Sequence, residues 1–177
     1  MSEYVQFDRT SDALSSLEEL SSCLNRKNGS VSAWKYAIVS VHCALQDYMC
    51  IALHNGNSFL TWKTNQYKNW QIAYDSKVQL PDPQLDFFME LFDKLFPNSS
   101  PINRVLISWL NDTRNGLIHF NTDSYSIEKE SIVRALREAI HAIKLTPSLT
   151  KGNFFYELSD NKNFENLIAE IELKLST

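Results

Sequence analysis

Apolar side chains recur at helical spacing along most of the chain. Leu14, Leu17, Leu20 and Leu24 share one face of a helix predicted over about 11–25. Asn28-Gly29 punctuates its end, and Ser30 or Ser32 stands where a cap for the next helix is needed. That second helix, predicted over 31–54, is the longest. Trp34, Ile38, Val41, Leu45, Met49 and Ala52 form one stripe, while Tyr36, Val39, Cys43 and Cys50 lie on nearly the opposite side. A helix apolar on two faces is either central in a bundle or half of a subunit interface, and the pattern admits both.

Residues 55–80 show no clear period and are rich in Asn, Gln, Lys and aromatics, so a long loop is predicted there. Pro81 and Pro83 introduce a helix near 84–96 with Leu85, Phe88, Leu91, Phe92 and Leu95 inward, and Pro97 ends it. Pro101 opens another over about 102–115, with Ile102, Leu106, Trp109, Leu110 and Leu117 as its stripe. Ser126, Glu128 and Glu130 look like a helix start. Ile132, Val133, Leu136, Ile140 and Ile143 carry that helix to about 145, where Pro147 is expected to stop it. A short strand-like run at 154–158 and a final helix over 163–173 complete the prediction. The chain reads as one domain over 1–177, with a helical core at about 11–145 and an extension at about 146–177.

Composition narrows the class. Hydrophobic residues at 44% and charged ones at 21% describe a globular protein with its own core. Four glycines and five prolines are too few for a many-turned β architecture. No window carries the long uncharged apolar run of a membrane span, and the acidic start is unlike a signal peptide. Three cysteines without a C-x-x-C suggest free thiols in a reducing, cytoplasmic setting. Glu3, Asp8, Asp12, Glu18 and Glu19 against Arg9 account for the whole net charge of −4, so the chain beyond residue 22 is balanced. Such a balance argues against tight nonspecific duplex binding, but leaves room for a local site that meets one or two phosphates.

Candidate chemistry is sparse. The four histidines, His42, His54, His119 and His141, show no metal-ligand spacing with each other or with cysteines. There is no Gly-rich phosphate loop and no Gly-x-Ser-x-Gly elbow, so neither a metal nor a cofactor is expected. His42 reads as a core or interface histidine, His54 as a helix-end residue and His141 as a surface one. His119 differs because Arg114, Asn115 and Gly116 precede it closely. On an unbroken helix, residues five apart diverge by about 140°. Unwinding at Gly116 would let Arg114 and His119 converge, giving a guanidinium for phosphate oxygens and an imidazole for proton transfer. The alternative is that both merely satisfy the last carbonyls of the helix.

Arg114, the polar Asn115, three further residues and His119, closing a helix late in an all-helical chain, resemble the signature of the HEPN superfamily. Phe120 and the Ser126-Ile127-Glu128 helix start are similar to uncharacterised bacterial members. The resemblance implies an all-α, four- or five-helix bundle carrying a long aromatic-rich loop and a C-terminal extension. It also implies a metal-independent endoribonuclease site at a homodimer interface. There His119 would act as general base or acid, Arg114 would stabilise charge on phosphorus, and Asn115 would orient either. Toxin and phage-defence roles follow from the same resemblance, as does a nucleotidyltransferase or other antitoxin partner. One subgroup carries a tyrosine two residues after the histidine, and here that position is Asn121. Noncatalytic binding modules also occur among such proteins.

A second region, 59–70, interleaves Phe59, Trp62, Tyr67 and Trp70 with Lys63 and Lys68 and holds no acid. Trp62, Lys63 and Lys68 are therefore candidates for single-stranded RNA binding by stacking and phosphate contact. The competing expectation is that these aromatics anchor the loop to the bundle.

Overall fold

Polar side chains set the helix starts. The computed structural model describes residues 4–6, 8–54, 58–97, 100–119, 123–149 and 162–176. Asp8 accepts from the Ser11 amide at 2.9 Å and begins α1 (Arg9–Asn25). Gly29, at φ +92°, supplies the left-handed turn after it. Ser30 Oγ then accepts from the Ala33 amide at 3.2 Å to start α2 (Val31–His54). A 3-10 turn at Ser58–Thr61 leads to α3 (Thr64–Asp75) and α4 (Phe88–Leu95). Asn103 caps α5 (Arg104–Ile118) by accepting from the Val105 and Leu106 amides. The chain continues with α6 (Lys129–Leu149) and α7 (Lys162–Ser176). The fold is all-α, with no β-strand among the described residues. The strand-like run predicted at 154–158, like Phe120 and Asn121, lies outside those residues.

α2 is the central element. It packs against α1, α4, α5 and α6, and α7 closes on α1 and α6. Val41, Leu45 and Met49 are fully buried along it. Of the two readings of its double apolar face, the bundle-centre one describes the helix. Cys50 is buried, Val39 and Cys43 are partly covered, and only Tyr36 of the four stands exposed, at 52%. By length and composition α2 is long and apolar enough to cross a membrane, but it carries Lys35 and Asp47, and 72% of that stretch is buried inside the bundle.

Three further expectations are corrected. The segment predicted as a loop at 55–80 contains α3, whose only buried residue is Ala73. Its aromatics face each other rather than the core, so no single stripe marked it. Pro147 does not stop α6, which runs to Leu149. Proline removes the amide that would bond the Ile143 carbonyl. Here Thr146 Oγ donates to that same carbonyl at 2.7 Å and fills the gap. The supposed extension is part of the core: Phe164, Ile168, Ile171 and Leu175 of α7 join the main apolar cluster. Lys27 Nζ, just after α1, and Arg137 from α6 donate to the Lys174 and Leu175 carbonyls at the end of α7, which carries residues from both ends of the chain into one unit.

Gly116 also departs from expectation, because it stays helical and α5 continues to Ile118. Its lack of a Cβ leaves space for Tyr125, whose ring carbon and hydroxyl would lie 3.6 Å from an added methyl. That is ordinary contact. Gly116→Ala is therefore expected to stabilise the protein by about 0.5–1 kcal/mol in urea unfolding, through helix propensity. A loss of stability would mean that the Tyr125 ring cannot give way.

Candidate functional site

The polar side of α5 turns towards α2. Asn111 and Arg114, three residues apart, share one helix face. His42 Nε2–H donates to Asn111 Oδ1 at 3.2 Å. The ring stacks on Phe88 with centroids 4.0 Å apart, and only 2% of the residue is exposed. Nδ1 of His42 has no hydrogen-bond partner among the described residues. Burial pushes the His42 pKa down to about 4; the Asn111 bond opposes this, and the Arg114 charge adds to the fall. His42 is thus a neutral core histidine at physiological pH.

Arg114 itself is partly buried. Its Nη1 donates to Asn115 Oδ1 at 2.9 Å, while Nε is shielded from solvent without an acceptor among the described residues. The ion pairs among the described residues are made by other side chains, so Arg114 has no carboxylate partner there. Its field reaches α2, where it partly offsets the burial that raises the Cys43 thiol pKa. A cation that is half out of water, with part of its hydrogen-bonding fork unused, is suited to an incoming anion.

His119 lies at the other end of the arrangement. It is the exposed C-cap of α5, its amide donating to the Asn115 carbonyl at 2.9 Å. Because the helix does not unwind at Gly116, Arg114 and His119 of one chain leave the axis about 140° apart. The structure therefore groups Arg114 with Asn115, Asn111 and His42, and places His119 at an accessible corner. His54 falls in the last turn of α2 and His141 on the exposed side of α6, as the sequence suggested.

The aromatic region forms a small excursion with its own packing. Trp62 and Leu85 make an isolated antiparallel bridge at its neck, and Lys94 Nζ donates to the Leu60 and Trp62 carbonyls there. Phe59 meets Trp62, Tyr67 and Trp70 at centroid distances of 4.8, 4.9 and 5.0 Å. Trp70 stacks on the exposed Tyr74 at 5.3 Å. Lys63 Nζ sits 4.5 Å over the Phe87 ring, and Lys68 is exposed on α3. Trp62 is half-buried in this cluster, so its stacking surface is mostly occupied by its neighbours.

His42 and Asn111 were not paired by sequence reasoning. The signal was a polar residue on an otherwise apolar α2, together with a second amide on the arginine's own helix face. Comparison of the chain with protein-family models, with curated proteins and with solved structures found no match.

Proposed function

We propose that the protein is a metal-independent endoribonuclease of HEPN type, working in the cytoplasm as a homodimer on single-stranded RNA. The observation that supports this reading is the partly buried Arg114 guanidinium, steadied by Asn115 and lacking a carboxylate partner among the described residues. Such a group can receive the phosphate whose charge grows as a 2′-hydroxyl attacks. His119 of one copy would take the 2′-hydroxyl proton, and His119 of the other would protonate the 5′-oxygen as the P–O5′ bond breaks. The products are a 2′,3′-cyclic phosphate and a free 5′-hydroxyl. A toxin or phage-defence role, restrained by a nucleotidyltransferase or other antitoxin, fits that activity.

One observation favours a second reading, a noncatalytic dimeric module that binds RNA, a nucleotide or a protein. The unbroken α5 sends Arg114 and His119 in different directions, so the first reading requires a partner copy to complete the site.

Both readings meet in one experiment. Purified protein is incubated with single-stranded RNA in EDTA, and with the same RNA carrying one 2′-deoxy nucleotide at the cleaved position. Cleavage is expected to survive chelation, to leave cyclic phosphate ends, and to fail at the deoxy position. Among the described residues, no three His, Cys, Asp or Glu side chains gather to hold an ion. Cleavage of the deoxy site, or its arrest by EDTA, overturns the mechanism. Intact RNA under all conditions favours the noncatalytic module.

A further inference from the structure

A cavity of about 290 Å³ opens where α2 and α6 both begin. Ile38 and Ile132 are buried in its floor, Trp34 and Leu117 are half-buried beside them, and Lys35 and Lys129 stand at its rim. No acid lines it. Glu128, next to Lys129, is engaged by the Ser131 hydroxyl at 3.2 Å.

Three features converge on the same kind of ligand. Val31 and Lys129, which line the cavity, are the first residues of α2 and α6, so the positive ends of two helix dipoles meet there. Two ammonium groups add full charges. The Trp34 indole N–H is shielded from solvent, so the residue borders the cavity as an aromatic wall. The floor is aliphatic and aromatic, with Ser126 as the other uncharged polar side chain apart from Tyr125. Such a lining suits an apolar body better than a nucleobase, whose edge needs several hydrogen-bond partners. A dry cavity of about 150 Å³ holds benzene, so this one has room for a ring with a short acidic tail.

We infer that this cavity binds a small organic carboxylate with an apolar body, of the size of an arylalkanoic acid. The ring lies against Trp34, Ile38 and Ile132, and the carboxylate meets Lys35, Lys129 and the helix starts. The inference does not depend on the ribonuclease reading.

The test is titration of the full chain with 3-phenylpropanoate and indole-3-acetate, and with the neutral amide of each, followed by calorimetry and by the Trp34 indole N–H resonance. Trp34→Phe assigns that resonance and removes the donor while keeping an aromatic wall. Each acid is expected to shift the Trp34 signal and to bind at least about tenfold more tightly than its amide, a difference of about 1.4 kcal/mol. Lys35→Ala combined with Lys129→Ala changes only rim residues and is expected to weaken the acids by a similar factor without changing the helical circular dichroism. The proposal is overturned if acid and amide bind equally, if the double variant binds as the wild type does, or if the Trp34 signal does not move. Binding of adenosine monophosphate with no binding of either acid would also overturn it, and would mark the cavity as a base pocket.

Discussion

His119→Ala is expected to reduce RNA cleavage by about 10²- to 10⁴-fold, the usual contribution of a positioned general acid or base. The fold should be untouched, because His119 is an exposed helix cap with no side-chain hydrogen bond among the described residues. An unchanged urea midpoint beside lost cleavage would assign the imidazole to chemistry. Arg114→Lys should be nearly as damaging, since an ammonium keeps the charge but loses the fork held by Asn115. That variant carries a stability cost as well, so the two losses are read separately. Mixing inactive His119→Ala chains with inactive Arg114→Lys chains provides a sharper test. Because the two histidines divide the base and acid roles, such mixed dimers hold a single His119 and are expected to stay as inactive as either parent, whereas recovery of part of the activity would show that one histidine facing one Arg114 suffices. Full activity in His119→Ala alone would remove the histidine from the mechanism.

The start of α2 was readable because a single side chain decides it. Ser30, named as a cap from its place after Asn28-Gly29, satisfies the Ala33 amide, whereas the Asp8 and Asn103 caps were not picked out; the main stripes on α1, α2 and α6 point where the pattern says. The failures share a cause: each is a local rule overruled by a neighbour. Pro147 is tolerated because Thr146 replaces the missing donor. α3 escapes notice because its aromatics pack on Phe59, outside the main core, and leave no stripe of one period. Gly116 stays helical with the Tyr125 ring beside it. The site shows the same limit. Arg114, Asn115 and His119 could be picked out by residue type and order, whereas the seam joining Asn111 to His42 exists only once α5 lies on α2.

That seam and a half-buried acid predict how stability depends on pH. Protonating His42 would put a cation out of water and beside Arg114, which is why its pKa falls from an ordinary 6.5 to about 4. The unfolded chain takes up this proton below about 6.5 and the folded one resists until about 4. Stability from His42 is therefore complete above 6.5 and declines as pH drops, by about 3 kcal/mol over the window. Asp47, on the same helix, behaves oppositely. Burial, then the charge and hydrogen bond of Asp12, raise its pKa from 3.8 to about 7, with Arg9 opposing. The folded state holds a proton that the unfolded state releases, so stability from Asp47 is complete below 3.8 and lost as pH climbs through 7. Partial solvent access makes its contribution the smaller of the two. Between pH 4 and 6.5 the slopes oppose each other, and the wild type should show a shallow profile. Asp47→Asn should steepen it, with the urea midpoint rising steadily as pH increases from 4 to 6.5. His42→Gln, which keeps a donor for Asn111, should reverse the sign, so that stability falls with rising pH. Measured midpoints at constant m-value decide the matter: a profile equally shallow in all three proteins would mean that neither group titrates as its burial requires.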